Sequence, residues 1–189
     1  MSNFKEKLIK YNNNLVNAVN NIDNLYLSKA IKIFKKKIIQ NKQIFVCGNG
    51  GSAAITNHFI ADYLKLLREK SGAKVKIFSL SDNVELISAI SNDIEFNKIF
   101  SYQLESLANK NDLLILISSS GNSQNIINAL KFAKKNLITT IGFSGFDGGY
   151  LKKNCDIPLH FENNSYQLSE DFHHILMHFI MNELINELK

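Results

Sequence analysis

Ile44-Phe45-Val46-Cys47-Gly48-Asn49-Gly50-Gly51-Ser52 is the stretch that decides the fold. An apolar strand runs into a glycine-rich turn, a hydroxyl follows, and a helix then begins that carries His58 and Asp62. Glycine lets the backbone adopt positive φ at little cost and come close to a ligand. The first-turn N–H groups of the following helix have no intrahelical partners and favour an anion. The segment therefore reads as a phosphate cradle, with ionisable side chains one to two turns further along the same helix.

The same strand–helix alternation extends outward from this point. Apolar strand candidates are Ile44–Cys47, Val75–Leu80, Leu113–Ile117, Thr139–Phe143 and Ile157–Phe161, with helical stretches at Ala53–Leu67, Val84–Ser91, Phe96–Ala108, Ser123–Lys134 and Leu168–Leu188. Near-continuous apolar strands separated by helices indicate a parallel sheet buried on both faces. The expected fold is α/β, a three-layer sandwich with a five-stranded, mostly parallel sheet covered by helices. Ahead of it, residues 1–42 read as a helical arm of two helices, although Asn12-Asn13-Asn14 and Asn20-Asn21 weaken the first. The arm either covers a face of its own sheet or packs on a partner subunit. With no linker, repeat or low-complexity tract, residues 1–189 read as a single domain.

A second loop has the same layout as the first. Ser118-Ser119-Ser120-Gly121-Asn122-Ser123 follows the strand at Leu113–Ile117 and opens a helix. A serine-rich helix cap explains such a loop on its own. Two of them at strand carboxyl ends of one parallel sheet could hold a phosphate from both sides, with Ser118, Ser119, Ser120 and Ser123 as the hydroxyl donors. Neither loop is a dinucleotide fingerprint or a P-loop, so the ligand is expected to be the size of a phosphosugar.

His58 and Asp62 lie four apart on one helix face, and Glu170, His174 and His178 share a face near the C-terminus, with His173 beside them. Two imidazoles and two carboxylates from two helices would suit Zn²⁺ or a similar divalent ion. Taken singly, each pair is also a common surface arrangement.

The 189-residue chain is 45% hydrophobic and 21% charged, which is globular composition. Its formal net charge is +5, but Arg68 is the only arginine and the lysines are scattered, so no nucleic-acid partner is expected. Lys35-Lys36-Lys37 reads as a solvated helix face, and Cys47 as a reduced, packed thiol. No secretory leader and no membrane-spanning run is visible, so the expected location is cytoplasmic, with no membrane partner.

Taken together, Gly48-Asn49-Gly50-Gly51-Ser52, His58-Phe59, Ser91-Asn92-Asp93 with Phe96, Phe100 and Glu105, Ile117 through Ser123, Ser144-Gly145 with Asp147-Gly148-Gly149, and His173 and His178 resemble the SIS (sugar isomerase) domain family, and within it the phosphoheptose isomerases. The resemblance covers nearly the whole chain. It implies an aldose–ketose isomerase converting sedoheptulose 7-phosphate to D-glycero-D-manno-heptose 7-phosphate for bacterial surface polysaccharide (lipopolysaccharide or capsule) synthesis. It further implies a homotetramer with active sites at subunit interfaces. By position it implies substrate contacts from Asn49 to Ser52, Asn92, Asp93, Ser118 to Ser120, Ser123 and Glu170. The implied zinc ligands, one ion per subunit, are His58, Asp62, Glu170 and His178, and Asp62 with His178 is the implied proton-transfer pair.

The sequence departs from the family's pattern at several of these points, as a divergent branch would. Asp62 stands where a longer glutamate is usual, and Glu170 where glutamine is usual. Ser165-Tyr166-Gln167-Leu168-Ser169 replaces an arginine-containing stretch, and Lys65-Leu66 replaces a Gly-Arg. Other activities compatible with the same loops are a non-catalytic SIS protein that binds the replication initiator, a phosphosugar sensor, and an isomerase of a different phosphosugar.

Overall fold

All five expected strands form, and every pairing between them is parallel. A computed structural model describes residues 3–189. In it β1 (Gln43–Gly48), β2 (Lys76–Ser79), β3 (Leu113–Ser118), β4 (Thr139–Ser144) and β5 (Ile157–His160) make one sheet in the order β2-β1-β3-β4-β5. The chain steps outward from β1 to β2 and then returns to the other side of β1 for β3. The carboxyl ends of β1 and β3 therefore flank the topological switch point, where such sheets bind ligands. Register brings the loops level, with Gly48 beside Ile117 and Ser118 beside Ser144.

The strands bury alternate residues on opposite faces. Ile44, Val46, Leu113, Ile115, Ile117, Ile141 and Phe143 face one core together with α2 (Asn24–Ile39), α3 (Gly51–Asp62) and α9 (Tyr166–Leu188). Phe45, Cys47, Leu114 and Leu116 face the other, against α5 (Val84–Asp93), α6 (Ser101–Leu107), α7 (Gln124–Lys135) and α8 (Gly149–Asn154). Burial of both faces explains why the strands read as continuous apolar runs.

The N-terminal arm divides in two. α2 covers its own sheet, burying Ala30, Phe34 and Ile38, whereas α1 (Phe4–Asn21) buries Ala18 and leaves Phe4, Leu8, Ile9, Val16 and Val19 exposed. The asparagines of α1 do not break it; Asn3 caps its start, accepting from the Glu6 N–H. The lysine run is not uniformly solvated, since Lys37 is buried and its Nζ donates to the Asn111 carbonyl at 2.7 Å.

Two expected helices are interrupted. The segment after Asp62 continues as a π-helical turn, Tyr63–Leu67, and ends in the short α4 (Arg68–Ser71). Ile55, Phe59, Tyr63 and Leu67 are all buried and fall at strict steps of four. At 3.6 residues per turn that stripe would drift around the helix, and a wider turn keeps it on the core. The stretch after Asp93 is a 3₁₀ turn at Phe96–Lys98 followed by α6. The segment Ser144–Gly149 after β4 runs on into α8, an element with no apolar periodicity to announce it. Among the described residues no helix is long and apolar enough to cross a membrane.

Candidate active site

At the switch point the two polar loops and the start of α9 enclose a cavity of about 280 Å³. Asn49, Gly50, Gly51 and Ser52 form one wall, Ser118, Ser119, Ser120 and Ser123 the other, and Tyr166 and Glu170 close it from α9. Nine of these ten were expected at the site from sequence; Tyr166 was not singled out, although Ser165, which accepts from the Leu168 N–H as N-cap, was a readable signal for a helix starting there.

Both helices that point into this cavity begin without a side-chain cap. Gly50 is the N-cap of α3 at φ 52°, and Ser123 is the N-cap of α7 with its side chain making no cap bond. Apart from the Ile126 N–H, which donates to Asn125 Oδ1 at 2.9 Å, no side chain takes their first-turn N–H groups, which leaves these open to an anion. Ser119 Oγ is buried without a hydrogen-bond partner at the same cavity. A buried hydroxyl calls for a partner, and this one lies where a ligand in the cavity would meet it.

The loops are braced from outside the cavity. Asn49 and Asn125 exchange amide hydrogen bonds, each Nδ2 donating to the other's Oδ1 at 2.9 Å. Gly48 N–H donates to Ser81 Oγ at 3.1 Å, and that hydroxyl donates back to the Gly48 carbonyl at 2.9 Å. The first turn of α8 supports the serine loop, since Leu151 N–H donates to the Gly121 carbonyl and Tyr150 N–H to Asn122 Oδ1. Asn125 and Ser81 carried no motif in the sequence, and only the tertiary fold reveals them.

Further along α3, His58 and Asp62 meet His178 from α9. One donor atom from each of the three lies within 4.8 Å of the others. His58 Nε2 and His178 Nε2 stand 3.5 and 3.4 Å from Asp62 Oδ2. The shorter aspartate thus reaches both imidazoles. His174, one turn before His178, sets its Nε2 3.5 Å from His58 Nδ1. Burial lowers the His174 pKa, and the neighbouring His58 and His178 lower it further. His173 points the other way, fully buried edge-on to Phe143, and burial holds its pKa down at about 4.

Glu170 does not join the three. Its carboxylate lies where a Cβ on Gly51 would stand, over the first turn of α3 and in the cavity. Asn92 and Asp93 end α5 on the surface, bonded to each other through Asn92 Nδ2 and Asp93 Oδ1, and line no part of this cavity.

The sequence matches the SIS domain family over residues 8–145. It is 40% identical to the phosphoheptose isomerase of Aliarcobacter butzleri over 86% of this chain and 85% of that one. It is 41% identical to the phosphoheptose isomerase of Trichlorobacter lovleyi over 84% of this chain and 78% of that one. The solved structure of phosphoheptose isomerase GmhA from Neisseria gonorrhoeae superposes with a TM-score of 0.84, covering 96% of this chain and 97% of that chain at 25% identity. A parallel sheet in this order, two uncapped helix starts at its switch point and relatives this similar along most of their length lead to one conclusion: the chain belongs to the SIS domain family and, within it, to the phosphoheptose isomerases.

Proposed function

We propose that the protein interconverts sedoheptulose 7-phosphate and D-glycero-D-manno-heptose 7-phosphate through an enediol. The observation that carries the reading is that α3 joins two kinds of chemistry. Its first turn opens on the anion cavity, and its His58 and Asp62 meet His178. Ser52 and His58 are six residues apart, a rise of roughly 9 Å along the helix. That span suits a sugar long enough to hold its phosphate at one place and its carbonyl at the other. Phosphate binding at the helix starts supplies binding energy remote from the reacting carbons.

Two imidazoles and a carboxylate with donor atoms within 4.8 Å of one another fit a divalent ion of the zinc type. His58, Asp62 and His178 would hold it; Glu170 reaches that set only by leaving its place over Gly51. Lewis-acid polarisation of a sugar carbonyl is the chemistry a bound ion supplies there. Asp62 and His178 are the proton-transfer pair in this reading. Their side chains meet with Asp62 Oδ2 3.4 Å from His178 Nε2, so both stand beside one place for the reacting carbons of a substrate.

The wider assembly belongs to the same proposal. A homotetramer, with Asn92 and Asp93 serving a neighbouring subunit's site, agrees with their exposure and with the bare apolar face of α1. A cytoplasmic enzyme of surface-polysaccharide synthesis is the matching setting. The convergence of His58, Asp62 and His178 favours an enzyme over a non-catalytic phosphosugar binder. The test is metal content of the purified protein together with NMR-monitored turnover of sedoheptulose 7-phosphate, with chelator and with added Zn²⁺. Metal-dependent appearance of the aldose is the expected result. Bound metal without turnover overturns the choice of sugar, and neither metal nor turnover overturns the enzymatic reading.

A further inference from the structure

We propose that His174 is a positioning residue for the metal site: its Nε2 accepts the Nδ1–H of His58 and keeps the Nε2 lone pair of His58 turned toward the ion. The inference rests on the metal reading of His58, Asp62 and His178 and adds a residue that reading does not contain.

The two nitrogens of the His58 ring face different neighbours. Nε2 stands 3.5 Å from Asp62 Oδ2, on the side where His178 Nε2 also approaches that oxygen. Nδ1 stands 3.5 Å from His174 Nε2. A metal-ligating imidazole must present an unprotonated nitrogen, so its proton sits on the other one and needs an acceptor. With Nε2 committed to the Asp62 side, the proton of His58 belongs on Nδ1, facing His174. His174 accepts it with Nε2 and carries its own proton on Nδ1. With a cation between His58 Nε2 and Asp62 Oδ2, one tautomer for each ring satisfies the whole chain of contacts.

The same geometry separates His174 from the ligands. It sits against the nitrogen of His58 that turns away from Asp62, and it falls outside the group whose donor atoms converge. Its ring lies 5.5 Å from that of His58 and 6.0 Å from that of His178, nearly parallel to the latter at 24°. α9 thus contributes one ligand, His178, and one turn earlier the support for the ligand across from it. The support has work to do, because the His58 side chain is 48% exposed and has little packing to hold its ring.

The experiment compares full-length wild type, His174→Ala and His174→Gln by Zn²⁺ affinity, measured in competition with a chromophoric chelator. X-ray absorption of the zinc-loaded proteins counts imidazole ligands, and ¹⁵N NMR of the same zinc-loaded proteins reads which nitrogen of His58 carries the proton. Loss of an outer partner of this kind weakens metal binding about 10–100-fold, and that is the expectation for His174→Ala, with an unchanged imidazole count and a His58 ring that no longer favours the Nδ1–H tautomer. His174→Gln, whose side-chain carbonyl can accept the same proton, should recover most of the affinity. Unchanged affinity in His174→Ala overturns the proposal, as does the loss of one imidazole from the count, which would make His174 a direct ligand. A glutamine variant as weak as the alanine variant also overturns it. If wild type binds no zinc, the metal reading falls as well; if wild type binds zinc and the alanine variant binds it equally, only the role of His174 falls.

Discussion

Glu170→Gln should tighten phosphate binding. The cavity formed by the two loops contains no lysine or arginine, and its one charged side chain is the carboxylate of Glu170, set over Gly51 at the start of α3. A carboxylate there enjoys the same helix-terminal field that a phosphate would use. It therefore competes with the ligand and repels it. Two like charges about 4 Å apart cost about 1 kcal/mol in water and about 4 kcal/mol at the effective dielectric typical of a protein surface. Glu170 is partly buried, which puts the repulsion between these limits. A working value of about 2 kcal/mol corresponds to roughly 30-fold in affinity. Glutamine keeps the shape, removes the charge and adds an N–H donor.

Calorimetric titration with inorganic phosphate measures the effect directly, and the KM for sedoheptulose 7-phosphate should fall in parallel. The gain should shrink at high salt, where the repulsion is screened. Zinc affinity of the same variant provides the control. If Glu170 acts at the cradle, zinc binding stays as in wild type. Unchanged or weaker phosphate binding, especially together with weakened zinc binding, would refute the cradle assignment and return Glu170 to the metal.

Three further outcomes follow from the structure. His178→Ala should lower turnover by about 10²-fold or more while the melting temperature barely moves, because its side chain is 47% exposed; NMR turnover beside thermal melting checks both halves, and retained activity would remove His178 from the chemistry. Asn125→Ala strips the buried partner from Asn49, at a cost of about 1–3 kcal/mol, and should lower the melting temperature by several degrees while raising KM more than it lowers kcat; an unshifted melt would show that the amide pair does not brace the loops. His173 is buried neutral, with its pKa lowered from 6.5 to about 4, so the unfolded chain binds a proton that the folded one refuses between those values. Its contribution is intact above pH 6.5 and is lost as pH falls toward about 4, by on the order of 3 kcal/mol, so the urea midpoint of His173→Phe should depend less steeply on pH across that window than that of wild type.

The parts of this molecule legible in the sequence are those where one physical requirement acts on consecutive residues. The inner strands, buried on both faces, must be largely apolar, and the edge strands keep an apolar inner side, so all five were visible, with no boundary off by more than one residue. The cradle was legible because a helix start that approaches an anion needs glycines and hydroxyls in unbroken order. The π-helical turn after Asp62 was written in the four-residue spacing of Ile55, Phe59, Tyr63 and Leu67, but spacing alone does not say whether a helix drifts or widens. α8 was illegible because its six residues carry no repeating face.

The site divides along the same line. Residues on one element at helical spacing, such as His58 with Asp62 or His174 with His178, could be paired from sequence alone. Which elements then meet is a property of packing. Only the approach of α3 to α9 shows that His178 closes on Asp62, that His174 falls behind His58, and that Glu170, two turns before His178, ends at the other end of α3. Eight residues separate Glu170 from His178, about 12 Å of helix rise. That is close to the distance α3 itself covers from its glycine start to His58. Two helices leaving the same cavity side by side must therefore bring their early residues to the phosphate and their later residues to the carbonyl, and a carboxylate in the first turns of α9 is drawn to the uncapped end of α3 before it can reach the imidazoles.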